Sequence, residues 1–348
     1  MFNETINHQS KSTDLKFYHQ FVIIAYSIIF ILSTVGNIFL CIAIFKQRNR
    51  RHSSARLFIL NLAIADLITS FSIPFVIPIV ILVEFPFGDF MCKAVYSVRN
   101  WAVYATALNL VAISYDRSRA IRSPLTFGFS KTSTLKVIFT LWFIALIAVL
   151  PQWINLQVQD YHNNSYCIES WQTVANRQAY SISMAMLFYF LPLLSICVFN
   201  ISIISAIHYA AKHEINHKKI ITRSKKRIAI LMAVICIMFF SCYALTYIII
   251  ILTDFSVISL NPFSSSDMPV VLISDVIAYS HSIWNPVIYG LYSLINRRSQ
   301  NKLFVGTPSK SINRSIIDRN CVRITMTPMK NATPDINITL SKNIQTTI

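Results

Sequence analysis

QFVIIAYSIIFILSTVGNIFLCIAIF, from Gln20 to Phe45, contains no Asp, Glu, Lys or Arg. A helix that crosses a bilayer needs roughly 20 consecutive apolar residues, and this run supplies one such helix. The same reading extends along the chain as gaps between basic residues. No Lys or Arg lies between Lys16 and Lys46, Arg56 and Lys93, Lys136 and Arg177, Arg177 and Lys212, or Arg227 and Arg297. The first four gaps hold one span each, the second of them near 57–83. The last gap is long enough for two, divided by Asp254, Pro262, Ser264, Ser265, Ser266 and Asp267. One more span, over about 90–119, is interrupted by Arg99 near its start. The total is seven.

Composition agrees. Of 348 residues 54% are hydrophobic and 13% charged, against roughly 25% charged in soluble proteins. The basic residues cluster in 46–56, 117–136, 212–227 and from Arg297 onward, all on one side of a seven-span path. Glu4, Asp14, Glu84, Asp89, Asp160, Glu169, Asp254, Asp267 and Asp275 lie on or near the other. The positive-inside rule puts the basic face in the cytoplasm and the N-terminus outside. The net charge of +17 then reflects topology and attraction to anionic inner-leaflet lipid, not nucleic acid. The polar first sixteen residues and the length of the first apolar run do not read as a cleavable signal. Asn3 and Asn163 open glycosylation sequons on the outer face. Cys92 and Cys167 share that oxidising side, and a disulfide is expected between them.

Ionisable groups inside a span are costly and point to function. Asp66 lies mid-span. With Asn37, Thr106, Ser282 and Asn285 at matching depths, it either holds Na⁺ with waters or sits protonated in a hydrogen-bond network. Asp116 and Arg117 adjoin at the cytoplasmic end of span three. Arg99 and Asp275 lie near the outer ends of spans three and seven, and either pair with each other or face a ligand. Pro151, Pro192 and Pro286 fall inside spans and are expected to kink them. No catalytic constellation, phosphate loop or metal-ligand spacing is present, so the protein does not read as an enzyme.

These residues carry a resemblance. Gly36-Asn37, Asn61-Leu62-Ala63-Ile64-Ala65-Asp66, Cys92, Ser114-Tyr115-Asp116-Arg117, Trp142, Cys167, Pro192, Phe239-Phe240-Ser241-Cys242 and Asn285-Pro286-Val287-Ile288-Tyr289 occur in order, each in its own span. Over 20–305 the chain resembles the rhodopsin-like G-protein-coupled receptors. Phe87-Gly88-Asp89-Phe90-Met91-Cys92-Lys93, Leu150-Pro151-Gln152 and Tyr166-Cys167-Ile168-Glu169-Ser170-Trp171 are similar to peptide receptors of the neuropeptide FF, orexin and cholecystokinin type. Span seven lacks a retinal-binding lysine, with Tyr279 at that place, and Arg99 stands where amine receptors have aspartate. Departures are Ser118 for the usual tyrosine, Asn200 in span five, and Tyr243 and Leu245 in span six. His281 sits beside the sodium-site residues.

The resemblance implies an all-α membrane protein, a seven-transmembrane helix bundle with a short amphipathic eighth helix near Tyr292–Phe304. Residues 1–19 form the extracellular N-terminus, 20–305 the receptor domain and 306–348 a disordered cytoplasmic tail. It implies a ligand site at Arg99, Gln152, Glu169, Tyr243, Tyr247, Asp275 and Tyr279, suited to a cationic, amidated neuropeptide. Coupling to a heterotrimeric G protein is implied at Asp116, Arg117, Pro124, Leu125, Asn285, Pro286 and Tyr289. No cofactor is implied beyond allosteric Na⁺ at Asp66, Thr106, Ser282 and Asn285. Arrestin and receptor kinases are expected at the Ser/Thr-rich tail. The rival readings are a receptor for a lipid or other small molecule, a decoy that binds without coupling, and a transporter or channel, which the absence of an internal repeat disfavours.

Overall fold

The computed structural model describes residues 2–46, 54–82, 84–122, 129–161, 164–212, 219–258 and 268–305, with backbone alone at 2–17, 207, 210–212, 219–229, 232, 268 and 292–305. Pro124, Leu125, Asn163 and the tail from 306 lie outside this set, and of Asn3 only the backbone is described.

Helix α1 runs Phe2–Lys46. Span two is α2 (Ser54–Phe71) and α3 (Ile73–Leu82). They are separated at Ser72, whose N–H reaches only three residues back, to the Thr69 carbonyl at 3.2 Å. Pro74 and Pro78 cannot donate to the α-helical ladder, and the turn accommodates them. Span three is α4 (Gly88–Arg122), and Gly88 opens it at φ 76°. Span four is α5 (Lys131–Asn155), capped by the Ser130 hydroxyl, which accepts the Ser133 N–H. The stretch after it is an antiparallel hairpin of β1 (Leu156–Tyr161) and β2 (Asn164–Glu169), with Cys167 opposite Val158.

Span five comprises α6 (Val174–Ala185), a π-turn at Met186–Phe190 and α7 (Leu191–Lys212). The N–H of Leu191 reaches the Met186 carbonyl, five residues back. That widened turn lies immediately before Pro192, whose missing N–H would break a regular ladder in any case. Span six, α8 (Lys219–Asp254), is one helix with no proline in it. Span seven is α9 (Met268–Val305), with Pro286 inside. The expected amphipathic eighth helix is thus helical but not a separate element. Between Leu291 and Val305 there is neither Gly nor Pro to end a helix.

Among the described residues, five helical segments are long and apolar enough to cross a bilayer. The two spans that fall short, α4 and α9, carry the polar groups that the others enclose. Lipid-facing positions are large and apolar, as at Phe39 and Phe139. The main core packs Leu62, Leu110, Phe188, Phe239 and Tyr243 from four spans. A second cluster joins Tyr26, Ile73 and Tyr279. Spans one and seven meet at Gly36, where an added Cβ would lie 2.8 Å from the Pro286 ring.

Candidate functional site

The tier at the hairpin end of the bundle is built on helical spacing. Asp275 and Tyr279 are four residues apart on α9 and share a face. Arg99 of α4 donates from Nη1 to Asp275 Oδ1 at 3.0 Å and to the Tyr279 hydroxyl at 3.2 Å. The Tyr26 hydroxyl of α1 donates to Asp275 Oδ2 at 3.0 Å, and Tyr279 shares a hydrogen bond of 2.8 Å with Ser72. The guanidinium also lies 5.1 Å from the Tyr279 ring centroid and 5.9 Å from that of Tyr96, a favourable cation–π placement. The two charges are only 19% and 22% exposed. A buried charge without a counterion is costly, and this pairing answers the choice left open by the sequence: Arg99 and Asp275 neutralise each other.

The hairpin forms the second part of this tier. The Cys92–Cys167 disulfide ties β2 to the start of α4, with Cα atoms 5.5 Å apart. Asp89, one turn before Cys92, accepts the Val158 N–H at 3.0 Å and pairs with Lys93 at 3.0 Å. The Lys93 ammonium, then the Val158 N–H, hold the exposed Asp89 carboxyl below the usual carboxylate range. From Asn100 a relay runs to the hairpin. Asn100 Nδ2 donates to Gln152 Oε1 at 2.9 Å, and Gln152 Nε2 donates to Glu169 Oε1 at 2.9 Å. The indole N–H of Trp171 donates to Glu169 Oε2 at 2.9 Å. Both donors to Glu169 are neutral. Among the described residues no cation pairs with it, whereas Asp89, Asp254 and Asp275 each have one.

Tyr243 and Tyr247 lie one turn apart on α8. The Tyr247 ring is 4.8 Å from Tyr189, which sits in the π-turn and donates its hydroxyl to the Phe240 carbonyl at 3.1 Å. That bond links spans five and six. At the start of α6 and the end of α8, Arg177 pairs with the buried Asp254 at 2.7 Å. Tyr243 turns toward span seven, its hydroxyl 3.3 Å from His281 Nδ1.

Beneath lies Asp66, fully buried. Asn285 Nδ2 donates to its Oδ2 at 2.6 Å, and His281 Nε2 stands 3.6 Å from its Oδ1. The Ser282 hydroxyl donates to the Tyr279 carbonyl, while Asn37 donates to the Ser282 carbonyl at 2.9 Å. Judged as a sodium site, this donor set leaves two buried oxygens, Asp66 Oδ1 and Thr106 Oγ1, without a hydrogen-bond partner among the described residues. A hard cation takes oxygen ligands. Here one carboxylate oxygen accepts the Asn285 amide and the other faces an imidazole nitrogen.

Near the C-terminal end of α4, Arg117 Nη2 pairs with Asp116, and the Ser54 hydroxyl at the start of α2 contacts both Asp116 oxygens at 2.9 and 3.0 Å. Ser118, fully buried, accepts from Arg122 at 2.9 Å. Tyr289 is half-buried nearby in sequence to Pro286 and Asn285 on α9.

The structure therefore gathers Arg99, Asp275 and Tyr279 into one group and Gln152 with Glu169 into another. Sequence reasoning missed Tyr26, Ser72, Asn100 and Trp171, which hold these groups in place, and Tyr189, which links spans five and six. Asn100 alone carried a signal, as a polar neighbour of Arg99 inside a span.

Comparison with known proteins places this arrangement. The model of the 7 transmembrane receptor (rhodopsin family) matches residues 36–289, and the chain belongs to that family, a family of receptors in multi-pass membrane form. Among its relatives is galanin receptor 2b of Danio rerio, 28% identical over 313 residues, covering 87% of this chain and 80% of that protein. Neuropeptide FF receptor 2 of Rattus norvegicus is 26% identical over 287 residues, covering 77% and 69%. Galanin receptor type 2 of Mus musculus is 26% identical over 286 residues, covering 81% and 75%. The resemblance to neuropeptide receptors is borne out, with galanin receptors beside the neuropeptide FF receptors expected.

Proposed function

We propose that this receptor is activated from outside the cell by a cationic, C-terminally amidated peptide and signals to heterotrimeric G proteins. The relatives' names support a peptide, and the observation that carries its charge is Glu169. Its carboxylate is held by two neutral donors on the disulfide-tied hairpin and pairs with no cation among the described residues. A ligand guanidinium would supply one, through a charge-assisted bidentate bond. Asp275, expected from sequence to serve equally, already spends its charge on Arg99. Arg99, Gln152, Asp275 and Tyr279 then act as a polar floor, with Tyr243 and Tyr247 as the aromatic wall on span six. Nine acidic residues against five basic on the outer side steer a cation inward.

Binding at Tyr243 and Tyr247 bears on span six directly. Spans five and six are linked through Tyr189, and a shift of α8 would repopulate a second helix packing. Arg117 then leaves Asp116 and meets the Gα tail, with Pro124 and Leu125 as the loop contact and Asn285, Pro286 and Tyr289 rearranging on span seven. The N-terminus faces outward, with Asn3 and Asn163 as glycan acceptors, and the tail takes receptor kinases and arrestin. Arg223–Arg227 meets anionic inner-leaflet lipid. Allosteric Na⁺ at Asp66, Thr106, Ser282 and Asn285 would draw on the Asp66 Oδ1 and Thr106 Oγ1 oxygens, buried and unpartnered among the described residues.

The test is a panel of amidated and free-acid peptides on cells expressing the receptor with a promiscuous G-protein reporter. Peptides ending in Arg and an aromatic amide should respond. Glu169→Gln should lower potency about 10- to 100-fold, since a hydrogen bond to a charged group contributes roughly 1.5–3 kcal/mol. Unchanged potency in Glu169→Gln would refute the anchor. Arg117→Glu should abolish coupling at normal surface expression, and intact coupling would refute that role.

A further inference from the structure

We infer that span six moves as one unbroken rod, pivoting on a pin at its C-terminal end made by Arg177, Gln178 and Asp254. The rod follows from sequence. Between Lys219 and Asp254 there is neither Gly nor Pro, and sharp helix kinks lie almost always at Pro, at Gly/Ser pairs or at π-turns. The α-helix accordingly runs without interruption from Lys219 to Asp254. Span two, by contrast, breaks at Ser72, and span five widens at Met186–Phe190. A helix with no weak turn does not bend at one point, so its two ends move together.

The pin follows from charge and burial. Asp254 is the last residue of α8, and its side chain is 1% exposed. Arg177, in the first turn of α6, pairs with it at 2.7 Å. The next residue, Gln178, donates from Nε2 to the Asp254 backbone carbonyl at 2.9 Å. Two consecutive residues of α6 thus grip one residue of α8 by side chain and backbone at once. Drawing the guanidinium away would strand a buried carboxylate, which is costly, so the contact resists separation. The bond from the Tyr189 hydroxyl to the Phe240 carbonyl, midway along α8, is a single neutral one, and charge-assisted bonds are roughly twice as strong. The pivot therefore sits at Asp254. At 1.5 Å per residue, Tyr243 lies about 16 Å from the pin and Lys219 about 52 Å. A sideways shift at Tyr243 is enlarged roughly threefold at the far end. That gain rests on Tyr243 as a ligand contact; the rod and the pin do not.

The experiment measures distance distributions by double electron–electron resonance in the full-length receptor in nanodiscs. No ligand is added, so its failure is separate from a failure of the peptide reading. Spin labels, introduced as unnatural amino acids, go one at a time to the exposed positions Phe255, Ile248, Ile237 and Ile230, each against a reference label at the exposed Ile147 of α5. Thermal swing about a pin grows with distance from it. The spread, less the label's own contribution, should be smallest at Phe255 and rise steadily, about fourfold from Ile248 to Ile230. Equal spreads at all four positions, or a minimum at Ile237, would overturn the pin. A step between Ile248 and Ile237, with little rise on either side, would show a hinge and overturn the rod. This comparison needs no variant. Arg177→Gln combined with Gln178→Ala should widen the spread at Phe255 toward that at Ile230, while Arg177→Lys keeps it narrow. A narrow Phe255 distribution in the double variant would mean that these residues are not the pin, and the assignment falls.

Discussion

Removing the charge of Asp275 should destabilise the receptor chiefly by stranding Arg99. At a charge separation near 4 Å and an effective dielectric of about 20, the pair gains about 4 kcal/mol of Coulomb energy. Both groups are about one-fifth exposed, so water screens part of this. The value belongs between exposed pairs, at most about 1 kcal/mol, and fully buried ones, where deleting a partner costs about 3–5 kcal/mol. Asp275→Asn keeps the Tyr26 hydrogen bond and leaves Arg99 with the Tyr279 hydroxyl and ring. We expect it to lose about 2–3 kcal/mol. Arg99→Gln should lose a similar amount, and the double variant, with both charges gone, little more than either single. The coupling energy is then about 2 kcal/mol, roughly 30-fold in the unfolding equilibrium. Denaturant unfolding of the four proteins in detergent micelles measures it. A coupling below about 0.5 kcal/mol, as for sites that do not interact, would refute the reasoning.

Other expectations follow from single contacts. Gly36→Ala places a methyl against the rigid Pro286 ring and should cost about 1–3 kcal/mol, read as lower surface expression and melting temperature. Cys92→Ser frees the hairpin from α4, and closure of a loop of this size predicts a loss of about 4 kcal/mol. Unfolding of that variant beside wild type checks it. Asp89, with a depressed folded pKa, contributes its anchor above the ordinary carboxylate value and loses it as pH falls through the lower folded value. The protection factor of the Val158 amide, exchange corrected for its intrinsic pH dependence, should hold steady from neutral to about pH 4 and fall below, since about 3.9 is the ordinary value for aspartate. A loss of protection already near neutral pH would count against the contact.

The spans were legible because hydrocarbon excludes charge, so the gaps from Lys16 to Lys46 and beyond mark helices regardless of how they pack. Cys92 with Cys167 was legible because both fall on one oxidising side of the seven-span path, and Asp66 with Asn285 because their spans set them at matching depths. Arg99 and Asp275 were identified as near one another, but only the structure decides that they pair. The break at Ser72 and the π-turn at Met186–Phe190 were not legible. Proline signals a disturbance but not the form the ladder takes to absorb it. The hairpin escaped because Leu156–Glu169 has too weak an alternation to outweigh its polarity. His281 was noted as a neighbour of sodium-site residues. That its ring reaches Asp66 depends on tertiary geometry across spans two and seven, which no local pattern encodes.

The central claim is an odd number of crossings with the basic face inside. Distinct epitope tags at the two termini, probed by antibody on intact and then permeabilised cells, test it most directly. The N-terminal tag should label on intact cells and the C-terminal tag only after permeabilisation. Labelling of both tags from the same side would contradict the account.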